Sequence, residues 1–406
     1  MTHTVVLVGA LDTKGAEYAF VRDRLAAAGV RSTVVDIGVL GEPEFAADIS
    51  RAEVARAAGF DIADLVSAAD RGKAMDAMAR GAALVVASLV EAGDVQGALA
   101  LGGTGGTSVA AQAFRDLPLG FPRLIVSTAA SGNTEPYIGA TDLILAPSIV
   151  DIAGLNRISR RILANAAAAV AGMVAAEPLP EASDRPLVAA SMFGVTTPSV
   201  TRARERLESL GYEVLVFHMT GSGGRAMESL IRQGYIAGVL DMTTTELADN
   251  LVGGVFDAGP DRLTAAASAG VPQVVSVGAL DMVNFGARDT VPEKFENRNL
   301  YVHNSSVTLM RTTAAETAKL GAELARKVAA SSGPVTVVLP LRGISAIATE
   351  GGPFHDAAAD TALFESIRTG LVGTDVELVE INLDINDPAF ADACADRLHE
   401  LITARR

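Results

Sequence analysis

The 406-residue sequence contains no tryptophan, one cysteine, five histidines and only 4% aromatic residues. A lone cysteine, Cys394, cannot form an internal disulfide, and no Cys/His cluster has the spacing of a zinc finger. So few aromatic rings leave no stacking platform for sugars or single-stranded nucleic acid. Basic charge is also short. Lys and Arg number 33 against 48 Asp and Glu, for a formal net charge of −15. Such a chain repels phosphate backbones, so nucleic acid is not an expected partner. An anionic nucleotide is still compatible, because backbone N–H groups can supply a local positive field. Long apolar runs are missing too. The run from Val5 to Leu11 lacks the basic flank and the length of a secretory signal. The alanine-rich segment 164–176 is shorter than a bilayer's width requires. The expectation is a cytoplasmic chain with no membrane partner.

What is abundant is apolar: 49% of residues are hydrophobic, enough for sizeable cores in two domains of a few hundred residues at most. Short β-branched runs alternate with glycine turns and helix-period stretches, which is the pattern of parallel α/β folds. Predicted strands in the first half lie at 4–8, 32–36, 97–101, 122–127 and 142–146. They are almost continuously apolar, as in sheets covered by helices on both faces. The proline-rich, mostly acidic stretch 177–186 reads as a linker, and the strand–helix rhythm restarts at Leu187. The fold class is therefore two Rossmann-like parallel-sheet α/β domains, at 1–176 and 187–406. The stretch 281–312 reads as one long irregular, functional loop.

Four loops that follow first-domain strands carry the most suggestive chemistry. Gly103-Thr104-Gly105-Gly106-Thr107 lies between a strand and a helix. Its glycines let backbone approach a ligand, and the helix start adds free N–H groups and a positive dipole end. That is the physics of a phosphate cradle, against the plainer alternative of a tight turn capped by Thr107. Asp12-Thr13-Lys14 offers a carboxylate for a divalent cation and a point charge for phosphate. Ser127, Thr128, Ser131, Gly132 and Asn133 form a third polar loop. Asp36 and Gly38 end the second strand, where an acid often accepts from ribose hydroxyls. Together these loops suggest a nucleotide held with a divalent cation such as Mg2+.

In the second half, Gly221-Ser222-Gly223-Gly224-Arg225-Ala226 resembles a dinucleotide fingerprint but follows the wrong strand for one. A smaller anion is the better expectation there. His303, Arg225 and Arg342 are candidate catalytic residues of an alternative reading. In it, an enzyme acts on a small anionic or carbonyl substrate, with the imidazole as acid or base and the guanidinium groups as carboxylate clamps. Asp241, Glu246, Asp281, His218, His355 and Asp356 are further acid–base or metal-ligand candidates. Two echoes run through the chain. Val-Gly-Ala-Leu-Asp occurs at 8–12 and 277–281, and glycine loops occur at 103–106 and 221–224. Duplication and convergent turn chemistry explain them equally well.

These motifs are specific enough to carry a resemblance. VGALDTKGAE, the long block from Leu99 to Thr141, SIVDIAGLNRIS, TGSGGRAMESLI, FENRNLYVHNSSVTLMRTT and PLRGISAIATEGGPF are similar to an uncharacterised bacterial and plant family. That family includes the ATP-binding domain of the tomato mosaic virus resistance protein. The resemblance implies two Rossmann-like subdomains, an ATP site in the first, and a homodimer or larger homo-oligomer. The reaction is not implied.

Overall fold

A computed structural model of the chain describes residues 3–68, 70–177 and 185–405. The chain divides into two compact units, Met1–Pro180 and Glu181–Arg406. Most of the stretch expected to link them, 178–184, lies outside the described residues.

The first unit holds one five-stranded parallel sheet. Its strands are β1 (Thr4–Gly9), β2 (Arg31–Asp36), β3 (Gly97–Gly102), β4 (Arg123–Ser127) and β5 (Ile144–Pro147), in the order β2-β1-β3-β4-β5. Alternation of side chains along β1 divides the core. Val6 and Val8 pack with Ala77, Met78 and Val109 on one face. Val5 and Leu7 pack with Val21, Leu163 and Val170 on the other. Both faces are covered, so β1 and β3 are buried along their whole length. The helix Arg157–Ala175 has the length and apolar content of a membrane span. Its stripe of Leu163, Ala166, Val170 and Val174 instead covers this sheet. Asn156 caps that helix through a capping box with Ser159.

The second unit holds two sheets. Six parallel strands are β6 (Leu187–Met192), β7 (Glu213–His218), β8 (Gly238–Thr243), β9 (Gln273–Gly278), β13 (Val335–Pro340) and β14 (Glu377–Ile381). Their order is β14-β13-β9-β8-β6-β7. The stretch expected to be irregular instead folds into three antiparallel strands, β10 (Met282–Phe285), β11 (Leu300–Asn304) and β12 (Val307–Arg311), in the order β10-β12-β11. The prediction failed because these strands are only four or five residues long. They also lack clean alternation: β10 is buried throughout, and four of the five β11 residues are exposed.

The order β7-β6-β8-β9-β13 repeats β2-β1-β3-β4-β5 strand for strand, yet the two sequence echoes fall on turns that do not correspond. Val-Gly-Ala-Leu-Asp follows β1 in the first unit but β9, the counterpart of β4, in the second. The glycine loops follow β3 and then β7, the counterpart of β2. The echoes are convergent turn chemistry.

Candidate functional site

In an open α/β sheet, ligands bind at the carboxyl ends of the strands where the strand order reverses. In the first unit that point lies between β1 and β3, and Tyr18 holds it open. Its hydroxyl donates to Val8 O at 2.5 Å and accepts from Leu101 N at 2.7 Å, beyond the last paired residues Val8 and Ala100. The ring needs Gly9 beside it, since a Cβ there would lie 1.9 Å from Tyr18 Cζ. Burial raises the Tyr18 hydroxyl's pKa, so it stays a neutral wedge between the strands.

A cavity of about 390 Å³ opens above this wedge. Asp12, Thr13 and Lys14 line it from the turn after β1, and Ile37, Val39 and Leu40 from the turn after β2. Gly102 to Gly106 line it after β3, and Arg71 and Met75 from the helix Arg71–Glu91. Gly103 is the extended N-cap of the helix Thr104–Phe114. The first intrahelical bond is made by Thr107 N to Gly103 O, at 2.9 Å. The N–H groups of Thr104, Gly105 and Gly106 therefore precede the helix's own ladder. Asp12 is anchored at one oxygen only: Oδ2 accepts from Leu40 N at 2.7 Å and Gly41 N at 3.0 Å, while Oδ1 has no hydrogen-bond partner. Gly38 leaves the space for this carboxyl, since a Cβ there would sit 2.7 Å from Asp12 Cγ. One unpartnered carboxylate oxygen on a cavity that also carries helix-start N–H groups could serve Mg2+, which takes one or two carboxylates and completes its shell with water and phosphate oxygens. Among the described residues no group of three or more His, Cys, Asp and Glu could hold a metal by itself.

Several expected ligand residues do structural work instead. Asp36 is buried. Its Oδ1 accepts from Leu11 N at 3.1 Å and Gly38 N at 2.9 Å, so it braces two turns, and apolar Ile37, Val39 and Leu40 form the wall. Burial raises the Asp36 carboxyl's pKa, and those two N–H groups oppose the shift. Lys14 lines the cavity, but its ammonium donates to Ile152 O, which holds the loop before the helix Arg157–Ala175. Thr107 and Ser127 are buried and bond each other at 2.6 Å, stitching β4 to the helix after β3. Gly132 and Asn133 line neither first-unit cavity; Asn133 accepts from Glu135 N at 3.2 Å. Ser127, Thr128 and Ser131 border a second hollow of about 340 Å³ with Ser148 to Asp151. Arg71 and Met75 were not anticipated, because no local pattern ties the start of one helix to a loop thirty residues later.

The second glycine loop is filled by the protein itself. Glu246 Oε1 accepts from Gly221 N at 2.7 Å and Gly224 N at 3.1 Å. A Cβ on Gly224 would lie 2.0 Å from Glu246 Oε2, so the glycine is there to admit this carboxylate. Glu246 in turn meets Arg262 Nε at 2.7 Å. Arg262 has no exposed side-chain surface and also pairs with Asp241 at 2.5 and 2.6 Å and with Glu228 at 3.4 Å. Asp241 and Glu246 are therefore structural partners of Arg262, not acid–base groups. Arg225 donates to Asp257 O at 2.8 Å, and Arg342 is an exposed residue after β13. His303 and His218 line one cavity, and neither arginine lines it. The shared pocket of His303, Arg225 and Arg342 is not what that cavity contains. Asp281 is buried against Ser345 Oγ at 2.8 Å, and Asp356 caps the helix Ala357–Leu371. Cys394 is fully buried, and burial raises its thiol's pKa.

The same division appears in sequence comparisons. Residues 3–178 match the N-terminal domain, and 185–402 the C-terminal domain, of the uncharacterised protein family UPF0261. The chain belongs to the UPF0261 family. It is 48% identical over 398 residues to a UPF0261 protein of Clostridium tetani, covering 98% of each chain. It is 44% identical over 338 residues to the ToMV resistance protein Tm-1(GCR237) of Solanum lycopersicum, covering 82% of this chain and 45% of that protein. Among solved structures, UDP-N-acetylglucosamine 2-epimerase from Rickettsia bellii covers 68% of this chain and 79% of its own, at 9% identity and a TM-score of 0.22. A likeness that distant says nothing about a ligand for this UPF0261 protein.

Proposed function

We propose that the first unit binds ATP with Mg2+ in the cavity between β1 and β3. The observation that carries this reading is a glycine loop whose helix-start N–H groups open onto a cavity at the strand-order reversal. In this reading the phosphates lie against Thr104, Gly105 and Gly106, with Arg71 as the nearby cation. Asp12 Oδ1 meets the metal directly or through water, and the metal offsets the phosphate charge when bound. Ile37, Val39, Leu40 and Met75 cover the apolar faces of the base. Thr128 and Ser131 stand at the rim.

Gly105→Val tests this with little harm to the fold. A Cβ at Gly105 would meet only the flexible ends of Met75, at 3.2 Å, and Arg71, at 3.8 Å, so the new side chain projects into the cavity. Calorimetry should show ATP·Mg2+ affinity reduced about tenfold or more, the equivalent of about 1.4 kcal/mol, with urea unfolding close to that of the parent. Unchanged affinity in the folded variant would place the nucleotide elsewhere.

A further inference from the structure

The second unit carries a different cavity, of about 240 Å³, at the carboxyl end of its own sheet. Phe193, Gly194 and Val195 follow β6, the strand at which that sheet's order reverses, and His218 ends β7. The cavity thus lies on the β6–β7 side of the sheet's carboxyl edge, the edge at which open α/β sheets take ligands. We propose that this cavity is a second binding site, for a small carboxylate with an aromatic or branched apolar body.

Three observations converge on that ligand. The first is the wall: Phe193 and Phe256 meet edge-to-face with centroids 6.0 Å apart, and Val195, Val307 and Leu309 extend the apolar surface. The His218 ring sits 5.4 Å from Phe193, so an imidazole lies directly against this apolar body.

The second is a backbone irregularity at His303. Val302 pairs with Thr308 and Asn304 with Val307, so two steps along β11 face one step along β12. His303 is the extra residue. Bulges of this kind turn a side chain out of the ladder and are common beside binding sites. Here the bulge brings His303 and Asn304 to the cavity that His218 and Thr220 line from the main sheet.

The third is the sign of the polar groups. His218, His303, Thr220 and Asn304 can all donate hydrogen bonds, and among the described residues no carboxylate lines the cavity. With no acid in the lining a cationic head would go unpaired, whereas a carboxylate can accept from all four groups. A phosphate-sized anion has no glycine cradle here, because Glu246 already occupies the N–H groups of Gly221 and Gly224. The ligand is therefore held by an apolar body, with its carboxylate between the two imidazoles.

The isosteric series benzoate, benzamide and benzamidine tests the proposal on the full chain, followed through the histidine ring signals by NMR. Benzoate should give saturable shifts confined to His218 and His303 among the five histidines. Benzamide should bind more weakly, and benzamidine should not bind. His218→Gln and His303→Gln should each weaken benzoate about tenfold, the scale of one charge-assisted hydrogen bond, whereas Arg342→Gln should leave it unchanged. If either histidine variant fails to fold, the parent's ranking of the three probes still decides. Benzamidine binding as well as benzoate, shifts spread over other histidines, or no saturation would each overturn the proposal.

Discussion

The two glycine loops of this chain read almost alike, Gly103-Thr104-Gly105-Gly106 and Gly221-Ser222-Gly223-Gly224, and each precedes or opens a helix. Their surroundings differ in one residue type. Among the described residues no carboxylate is hydrogen-bonded to the first loop's N–H groups, which open onto a cavity where Asp12 is held by Leu40 N and Gly41 N instead. In the second loop the N–H groups of Gly221 and Gly224 are taken by Glu246, itself held by Arg262. A glycine loop is thus a capacity for binding an anion, and whether that anion is a ligand or an internal carboxylate depends on residues far away in sequence. The second loop is closed by the fold, and the first is left facing a cavity.

The largest test of this contrast removes the hub of the second loop. Arg262→Met leaves Asp241, Glu246 and Glu228 buried without their cation, which should cost about 3–5 kcal/mol. Urea unfolding should show the loss, while the first loop's nucleotide affinity in the still-folded fraction stays unchanged. A loss below about 1 kcal/mol would mean these carboxylates are not dependent on Arg262.

Close behind comes a pH effect near the same loop. Burial pushes the Asp249 carboxyl up to about 7, against opposing hydrogen bonds from Asn284 and Phe256 N. Between the unfolded carboxylate range near pH 4 and about pH 7, the native state keeps a proton that the unfolded chain releases. Stability should therefore fall as pH rises through that window, by about 2–4 kcal/mol at about 1.4 kcal/mol per unit. Asp249→Asn, which mimics the neutral acid, should flatten that part of the profile. An unchanged slope in the variant would rule Asp249 out as its source.

The smallest effect is the sharpest comparison, because the same substitution is made in both loops. Gly224→Ala drives a Cβ to 2.0 Å from Glu246 Oε2 and should cost about 1–3 kcal/mol through overpacking. Gly105→Ala meets only the flexible ends of Met75, at 3.2 Å, and Arg71, at 3.8 Å, and should be neutral or stabilising by up to about 1 kcal/mol, as expected for glycine replaced within a helix. Equal destabilisation in thermal melts would erase the distinction between an open and a filled loop.

Much of this architecture was legible because it rests on local signals. Continuous apolar runs gave the parallel strands, and glycines between strand and helix marked both loops. What could not be read depends on distance or register. Asp36 looks like a ribose acceptor until the N–H groups of Leu11 and Gly38 turn toward it. Arg262 is an isolated arginine in a polar loop until Glu228, Asp241 and Glu246 enclose it. Arg71 reaches the cavity only through the packing of its helix. The bulge at His303 exists only in the pairing of β11 with β12, and neither strand's sequence announces it.

Hydrogen–deuterium exchange with and without ATP·Mg2+ compares the two loops in one experiment. Peptides covering Thr104 to Gly106 should gain protection on nucleotide addition, because their N–H groups take up phosphate oxygens. The Gly221 and Gly224 amides should exchange equally slowly in both states, since Glu246 already holds them. Protection gained at the second loop, or at neither, would contradict the assignment of the open loop as the nucleotide site.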